Sequence, residues 1–140
     1  MPARSTLPDH KAAQPCKAKT CTASGITISK FTDVPTDSET ALMTAIAQQP
    51  IAIAIEADQS SFQSYSSGVM TKTCGTNLDH GVLAVGYGTQ GTADYYQVKN
   101  SWGADWGDKG YIYLGRGAQF NGNKGQCGIQ MDPSYHSATA

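Results

Sequence analysis

A histidine and an asparagine occur where two neighbouring strands would bring them together. His80 opens the apolar run of LDHGVLAVGYG (residues 78–88), and Asn100 ends another strand-like run in KNSWGADWGDKGY (residues 99–111). Because one hairpin separates the two runs, both side chains fall at the same end of a sheet. The Asn100 amide oxygen then accepts from one imidazole nitrogen and leaves the other free for a nucleophile, while Trp102 shields this bond from water. The alternative is a histidine with a structural role in the sheet.

The first half of the chain predicts the elements that lead to His80. Imperfect alternation over residues 25–34 and an alternation of Ile and Ala over residues 51–57 each predict a strand. Between them the pattern predicts a helix, with Thr36 or Asp37 as its N-cap and Pro50 as its stop.

The second half predicts mainly strands. Phe62 and Tyr65 fall in a polar loop, and the turn-rich GTQGTAD connects the histidine strand to the next one. ADYYQVKNSW and KGYIYLGRG are rich in aromatic and β-branched residues, which favours two further strands. The whole pattern predicts an α+β domain, with one main helix against an antiparallel sheet.

Length and charge exclude several classes of protein. A chain of 140 residues forms one domain at most. Its formal net charge of −1, without a basic stripe, gives no case for binding nucleic acid or an anionic membrane. No segment is apolar over the length that a signal peptide or a membrane span needs. We therefore expect neither nucleic acid nor membrane as a partner.

The four cysteines indicate an oxidising compartment. Cys16, Cys21, Cys74 and Cys127 are an even number, which fits two disulfides. A zinc site is the weaker interpretation, since no His or Cys pair elsewhere completes a ligand pattern with Cys16 and Cys21. We expect no metal and no other cofactor.

Several segments in order resemble one known family. LDHGVLAVGYG is similar to the histidine segment of the papain-like cysteine proteases, and KNSWGADWGDKGY to their asparagine segment. QQPIAIAIEA and SFQSYSSGVMTKTCG resemble the family's strand and the segment that follows it. The resemblance is to the cathepsin L-like half that carries the catalytic His and Asn. It implies a papain-like right-hand domain, an open barrel, at residues 21–137. Residues 1–20 show no periodicity and are predicted to form an irregular arm, which does not resemble the family over 1–10.

The resemblance also implies roles for the residues of the motifs. His80 is the general base and thiolate partner, Asn100 orients it, and Trp102 shields the pair. Cys74 and Cys127 correspond to the disulfide of the family's C-terminal domain.

Four further residues take substrate-binding roles by the same resemblance. Asp79, Gly81 and Ala54 border the cleft. Asp132 falls at the floor of the main specificity pocket, where an acid favours a basic side chain two residues before the scissile bond. A solvated loop carboxylate is the alternative for Asp132.

The nucleophile of the family does not occur in this sequence. Its motif, Cys-Gly-Ser/Ala-Cys-Trp/Tyr, is absent, and PCKAKTC, with Cys16 and Cys21, lacks its glycine and aromatic residue. The glutamine that donates to the oxyanion would also lie upstream. Whether Cys16 and Cys21 pair with each other or with another domain stays open. The chain alone is therefore expected to be inactive.

Two functions are compatible with this pattern. The first is the C-terminal part of a papain-like cysteine endopeptidase that hydrolyses peptide bonds. Its expected partners are an N-terminal papain-like domain, peptide or protein substrates and cystatin-type inhibitors, and its expected location is lysosomal, vacuolar or secreted. The alternative is a non-catalytic papain-derived domain that binds a peptide, a propeptide or an inhibitor.

Overall fold

The computed structural model describes residues 18–22 and 25–139, so Cys16 and most of the predicted arm lie outside the described residues. Within them lie seven strands and two α-helices. The strands are β1 (Thr27–Asp33), β2 (Ile51–Ile55), β3 (Val69–Met70), β4 (His80–Gln90), β5 (Ala93–Lys99), β6 (Tyr111–Gly115) and β7 (Ser134–Thr139). The helices are α1 (Glu39–Ile46) and α2 (Ser60–Gln63), and single 3-10 turns form at Ala18–Thr20, Gly122–Lys124 and Gln126–Gly128.

The strands form one open sheet in the order β1-β7-β2-β4-β5-β6-β3. All neighbours are antiparallel except β3 and β6, which are parallel. The predicted α+β class, with one main helix on a largely antiparallel sheet, is therefore confirmed. The parallel pair differs from the prediction because β3 has two residues and follows α2, so no hairpin sets its direction.

The core lies where α1 packs on the sheet, against β4. Ile51, Ile53 and Ile55 are buried, as are Leu42 and Ile46 of the helix. The predicted alternation in β2 is thus confirmed, because its isoleucines are buried in the core and its alanines lie on the more exposed, opposite side. That second face of the sheet carries part of the candidate site.

The N-cap of α1 is Ser38, not Thr36 or Asp37. Ser38 is extended (φ −132°, ψ 103°), and its Oγ accepts from the Ala41 N–H at 3.2 Å. Asp37 is left-handed (φ 54°) and only turns the chain towards the cap. The sequence allowed three polar residues in a row, and backbone geometry selects among them. No helix in the described ranges is long and apolar enough to cross a membrane.

We expect Ser38→Ala to lower the free energy of unfolding by about 1 kcal/mol, because the Ala41 N–H loses its acceptor. Urea unfolding followed by circular dichroism measures the change. Thr36→Ala is the matched control and should change stability by less than about 0.5 kcal/mol. Equal losses in the two variants would contradict the assignment of Ser38 as the cap.

Candidate active site

His80 is the first residue of β4 and pairs with Ile55, the last residue of β2. Asp79 joins the two strand ends with two hydrogen bonds, one as donor and one as acceptor. Its N–H donates to the Ile55 carbonyl at 3.0 Å, and its Oδ1 accepts from the Ala57 N–H at 2.8 Å. The ends of the two strands are therefore held together just where the half-buried histidine ring leaves the backbone.

Asn100 directly follows β5 and lies beside His80. Its amide oxygen is 2.8 Å from His80 Nε2, and its side chain is buried, with 7% of the residue exposed. The Asn100 N–H donates to the Gly110 carbonyl at 2.9 Å, which ties the end of β5 to the loop before β6. The hairpin of β4 and β5 thus brings the two side chains together as the spacing predicts.

A second donor fixes which way the Asn100 amide faces. The Ser101 N–H donates to the same oxygen at 2.7 Å. A flipped amide would turn its NH₂ group towards that N–H, donor against donor. Because the oxygen can only accept, His80 Nε2 carries the proton that it shares with Asn100. In the neutral ring, Nδ1 is then an unprotonated acceptor, and it makes no hydrogen bond within the described residues.

Trp102 packs on the histidine ring. The centroids of the two rings are 5.1 Å apart, with an angle of 34° between their planes. Trp106 and Phe62 meet Trp102 edge to face, with centroids at 5.1 and 5.6 Å. Trp106 is itself anchored, since its Nε1–H donates to the Gln63 carbonyl at 3.0 Å. These rings exclude water from one side of the bond between His80 and Asn100, which strengthens it.

The predicted polar loop around Phe62 and Tyr65 is wrong. Residues Ser60–Gln63 form α2, Phe62 is fully buried, and Tyr65 packs on Trp106 with centroids 5.9 Å apart. The Tyr65 hydroxyl donates to the Gly68 carbonyl at 2.6 Å, and burial raises the pKa of this hydroxyl. The serines and glutamines around Phe62 hide this helix from a periodicity analysis, because only one of its faces is apolar over four residues.

Ala54 and Gly81 pair with each other on the sheet face opposite α1. Ala52 pairs with Leu83 on the same face, and Leu83 pairs with Lys99 of β5. We call the face formed by Ala52, Ala54, Gly81, Leu83 and Lys99 the open face. A shallow, mostly apolar depression of about 410 Å³ lies on it, and Asn100 lines its edge. Ala52, Ala54 and Gly81 have small side chains or none, so their part of the open face is flat.

Asp132 makes no hydrogen bond or ring contact with His80, Asn100 or Trp102. It is exposed in the turn before β7 and makes no hydrogen bond or ion pair with another described residue. Within the described part of the chain, no group of three His, Cys, Asp or Glu side chains is arranged to hold a metal ion.

The Cys74–Cys127 disulfide is present, as the resemblance implies. Both residues are buried, and the bond closes a loop between residues 53 apart in sequence. It joins the segment before His80 to the 3-10 turn before β7. Cys21 is exposed and forms no disulfide with a described cysteine.

Two residues with clear contacts in the site were not predicted. The Ser101 N–H orients Asn100, and the buried Glu56 carboxylate accepts from the Asn77 N–H, three residues before His80. A backbone donor leaves no trace in the sequence. The sequence does contain a signal for Glu56, because this acid directly follows the apolar run IAIAI of a predicted strand, where acids are seldom buried.

Comparison with known proteins connects this geometry to one family. The sequence model described as "Papain family cysteine protease" matches residues 3–137. The chain belongs to the papain family of cysteine proteases. Cysteine endopeptidase RepA of Oryza sativa subsp. japonica is 50% identical over 121 residues, which cover 86% of this chain and 32% of that protein. Germination-specific cysteine protease 1 of Arabidopsis thaliana is 50% identical over 110 residues, or 79% and 29% of the two chains.

Solved structures agree with the fold of this papain-family chain. The bromelain protease from Ananas comosus matches with a TM-score of 0.82 and 40% identity, over 93% of this chain and 59% of that one. The proform of the ragweed pollen cysteine protease Amb a 11 matches with a TM-score of 0.75 and 44% identity, over 79% and 33%. The chain is thus papain-like in fold, and it spans about a third of the length of the curated relatives described above.

Proposed function

We propose that this chain forms the histidine-bearing wall of a papain-type endopeptidase active site, as the C-terminal domain at residues 21–137. In this proposal the nucleophilic cysteine and the oxyanion glutamine belong to an N-terminal domain. The observation that carries it is the 2.8 Å contact of His80 Nε2 with Asn100 Oδ1, which leaves Nδ1 as a free acceptor. That nitrogen is the group that a thiol needs to become a thiolate.

The reaction uses each atom of this pair. His80 Nδ1 takes the proton of the thiol, and the thiolate attacks the carbonyl carbon of the scissile peptide bond. The carbon–nitrogen bond then breaks as His80 returns the proton to the leaving amine, which gives a thioester. Water, deprotonated by His80, hydrolyses the thioester and restores the thiol. Asn100 holds the ring in one orientation throughout by accepting from Nε2–H in both the neutral ring and the imidazolium, and Trp102 excludes water from their bond.

Exposed apolar residues of β1 are evidence for a partner domain. Ile28 and Phe31 of β1 are 64% and 57% exposed. Their pairing with Ala138 and His136 of β7 puts them on the same side of the sheet as the open face. Large apolar side chains exposed on the side of the sheet that also carries the apolar depression indicate an interaction site.

The remaining roles follow from the family resemblance. Ala54 and Gly81, small and flat on the open face, border the cleft. Asp79, exposed directly before β4, borders it as well. Asp132, exposed and unpaired among described residues, favours a basic side chain two residues before the scissile bond. Peptides, a propeptide and cystatin-type inhibitors are the expected ligands of the cleft. The disulfide favours a vacuolar or secreted location.

Mixing this chain with a complementary N-terminal domain that carries the thiol tests the proposal. We expect neither part to cleave a fluorogenic peptide alone and the mixture to do so, with loss of cleavage when the partner's nucleophile is serine. Association by analytical ultracentrifugation is measured in the same samples. A folded, associated and inert mixture would contradict the catalytic function and favour the non-catalytic binding domain.

A further inference from the structure

A buried carboxylate stands between β2 and the segment that leads to His80. Glu56 directly follows β2 and is 5% exposed. Its Oε1 accepts from Gln59 Nε2 at 2.6 Å, and its Oε2 accepts from the Asn77 N–H. No lysine or arginine of the described part of the chain forms an ion pair with it. A buried charge is tolerated only where such donors replace water, so both contacts matter energetically.

The Asn77 contact fastens a segment that has no strand partners of its own. Pairing of β4 with β2 begins only at His80, and residues 75–79 lie outside the sheet. Asn77 is bound by Glu56, and Asp79 is bound by the end of β2. The path of the backbone into His80 therefore depends on the Glu56 carboxylate, since a small rotation there would swing the imidazole away from Asn100.

The Gln59 contact links Glu56 to the aromatic residues that pack on the His80 ring. Gln59 is the N-cap residue of α2, and α2 carries Phe62. Phe62 packs edge to face on Trp102, and Trp102 packs on His80. One carboxylate thus joins the backbone that leads to the histidine and the helix whose aromatic side chain supports the histidine's packing partner.

The sequence also makes room for this carboxylate. Gly75 has its Cα against the carboxylate, and a Cβ at this position would overlap both oxygens of Glu56. Its φ angle is not in the left-handed region, so space rather than backbone conformation requires glycine here. Glycine at 75 and glutamate at 56 therefore fit each other.

We propose that Glu56 is a positioning residue that fixes the orientation of His80 through Asn77 and Gln59. The inference rests on the proposed function for its catalytic meaning, but the orientation of the ring is measurable without activity. Glutamine keeps one acceptor for Asn77, and the Gln59 amide can rotate to accept from its NH₂ group. Methionine keeps the volume but removes both acceptors.

Nitrogen-15 NMR of the histidine rings in the 140-residue chain tests the proposal. We expect the wild type and Glu56→Gln to show one His80 tautomer, with the proton on Nε2. Glu56→Met and Gly75→Ala should show averaging of the two tautomers and about tenfold faster exchange of the Asn77 amide. Asp33→Asn, which changes an exposed acid of β1 outside this network, is the control and should resemble the wild type.

Protected amides of Tyr96 and Val98 report whether each variant is folded, since both residues lie in the core. A folded Glu56→Met or Gly75→Ala variant with the wild-type His80 tautomer would overturn the proposal. If neither folds, exchange in the unaltered chain decides. The Asn77 amide and the His80 Nε2 proton should exchange with the same dependence on denaturant concentration, which would mean that one opening event exposes both. An Nε2 proton that stays protected at denaturant concentrations where the Asn77 amide exchanges freely would overturn the proposal.

Activity of the mixed domains separates this inference from the function. In an active mixture, Glu56→Gln should keep kcat, whereas Glu56→Met should lower kcat more than it changes KM and should alter the pH profile. An inactive wild-type mixture would count against the proposed function only, because the tautomer of His80 would still report on Glu56.

Discussion

His80→Ala in the reconstituted two-domain enzyme is expected to lower kcat/KM by about 10⁴-fold or more, with little change in KM. The Asn100 contact leaves Nδ1 of His80 unbound among the described residues, and in the proposed mechanism this nitrogen accepts the thiol proton. Without it the cysteine stays protonated at neutral pH, and the leaving amine has no proton donor. Steady-state kinetics with a fluorogenic peptide, together with the pH dependence of thiol alkylation, measures both losses.

Two controls test whether the loss is specific to the His80 side chain. His10→Ala changes another histidine, in the predicted N-terminal arm, and should leave kcat/KM within about twofold of the wild type, because the proposed mechanism gives His10 no role. The His80→Ala chain should still bind its partner domain, because the open face and β1 are unaltered. Cleavage by this variant at more than a tenth of the wild-type rate would show that another group takes the thiol proton.

The pairing of His80 with Asn100 could be predicted because it depends only on local order. A strand, a short turn and a second strand determine which residues meet, and period-two alternation sets the register. The bulge between Ala84 and Gly86 does not disturb the end where the site lies. The side of β2 that forms the open face was predictable for the same reason, because alternating Ile and Ala put the large side chains on one side of the strand and the small ones on the other.

What the sequence did not predict depends on contacts between distant segments. Strand β7 is polar and gains its pairing from β1, a hundred residues earlier in the chain, so no local pattern indicates it. Glu56 meets Asn77 across 21 residues, and Trp106 meets Gln63 across 43. Ser38 rather than Asp37 caps α1 because Asp37 is left-handed and bound to the Gln130 carbonyl through its N–H, whereas Ser38 has the extended backbone that a cap needs. Such choices are made by tertiary structure, on which propensity alone carries no information.

Removal of the disulfide by a double Cys74→Ala and Cys127→Ala substitution is expected to lower the free energy of unfolding by about 4 kcal/mol. The bond closes a loop between residues 53 apart, and that loop contains β4, β5 and β6. Cutting it restores conformational entropy to the unfolded chain and opens space in the core, where both cysteines are buried. A loss of this size is a large part of the stability of a domain this small.

Urea unfolding of the oxidised chain and of the double variant measures the loss, and Cys21→Ser is the control. Cys21 is exposed and has no disulfide partner among the described cysteines, so its substitution should change stability by less than about 0.5 kcal/mol. The effect should extend to the site, because Cys74 begins the segment that Glu56 fastens before His80. Equal unfolding midpoints for the double variant and the oxidised chain would mean that the sheet holds this segment without the covalent bond.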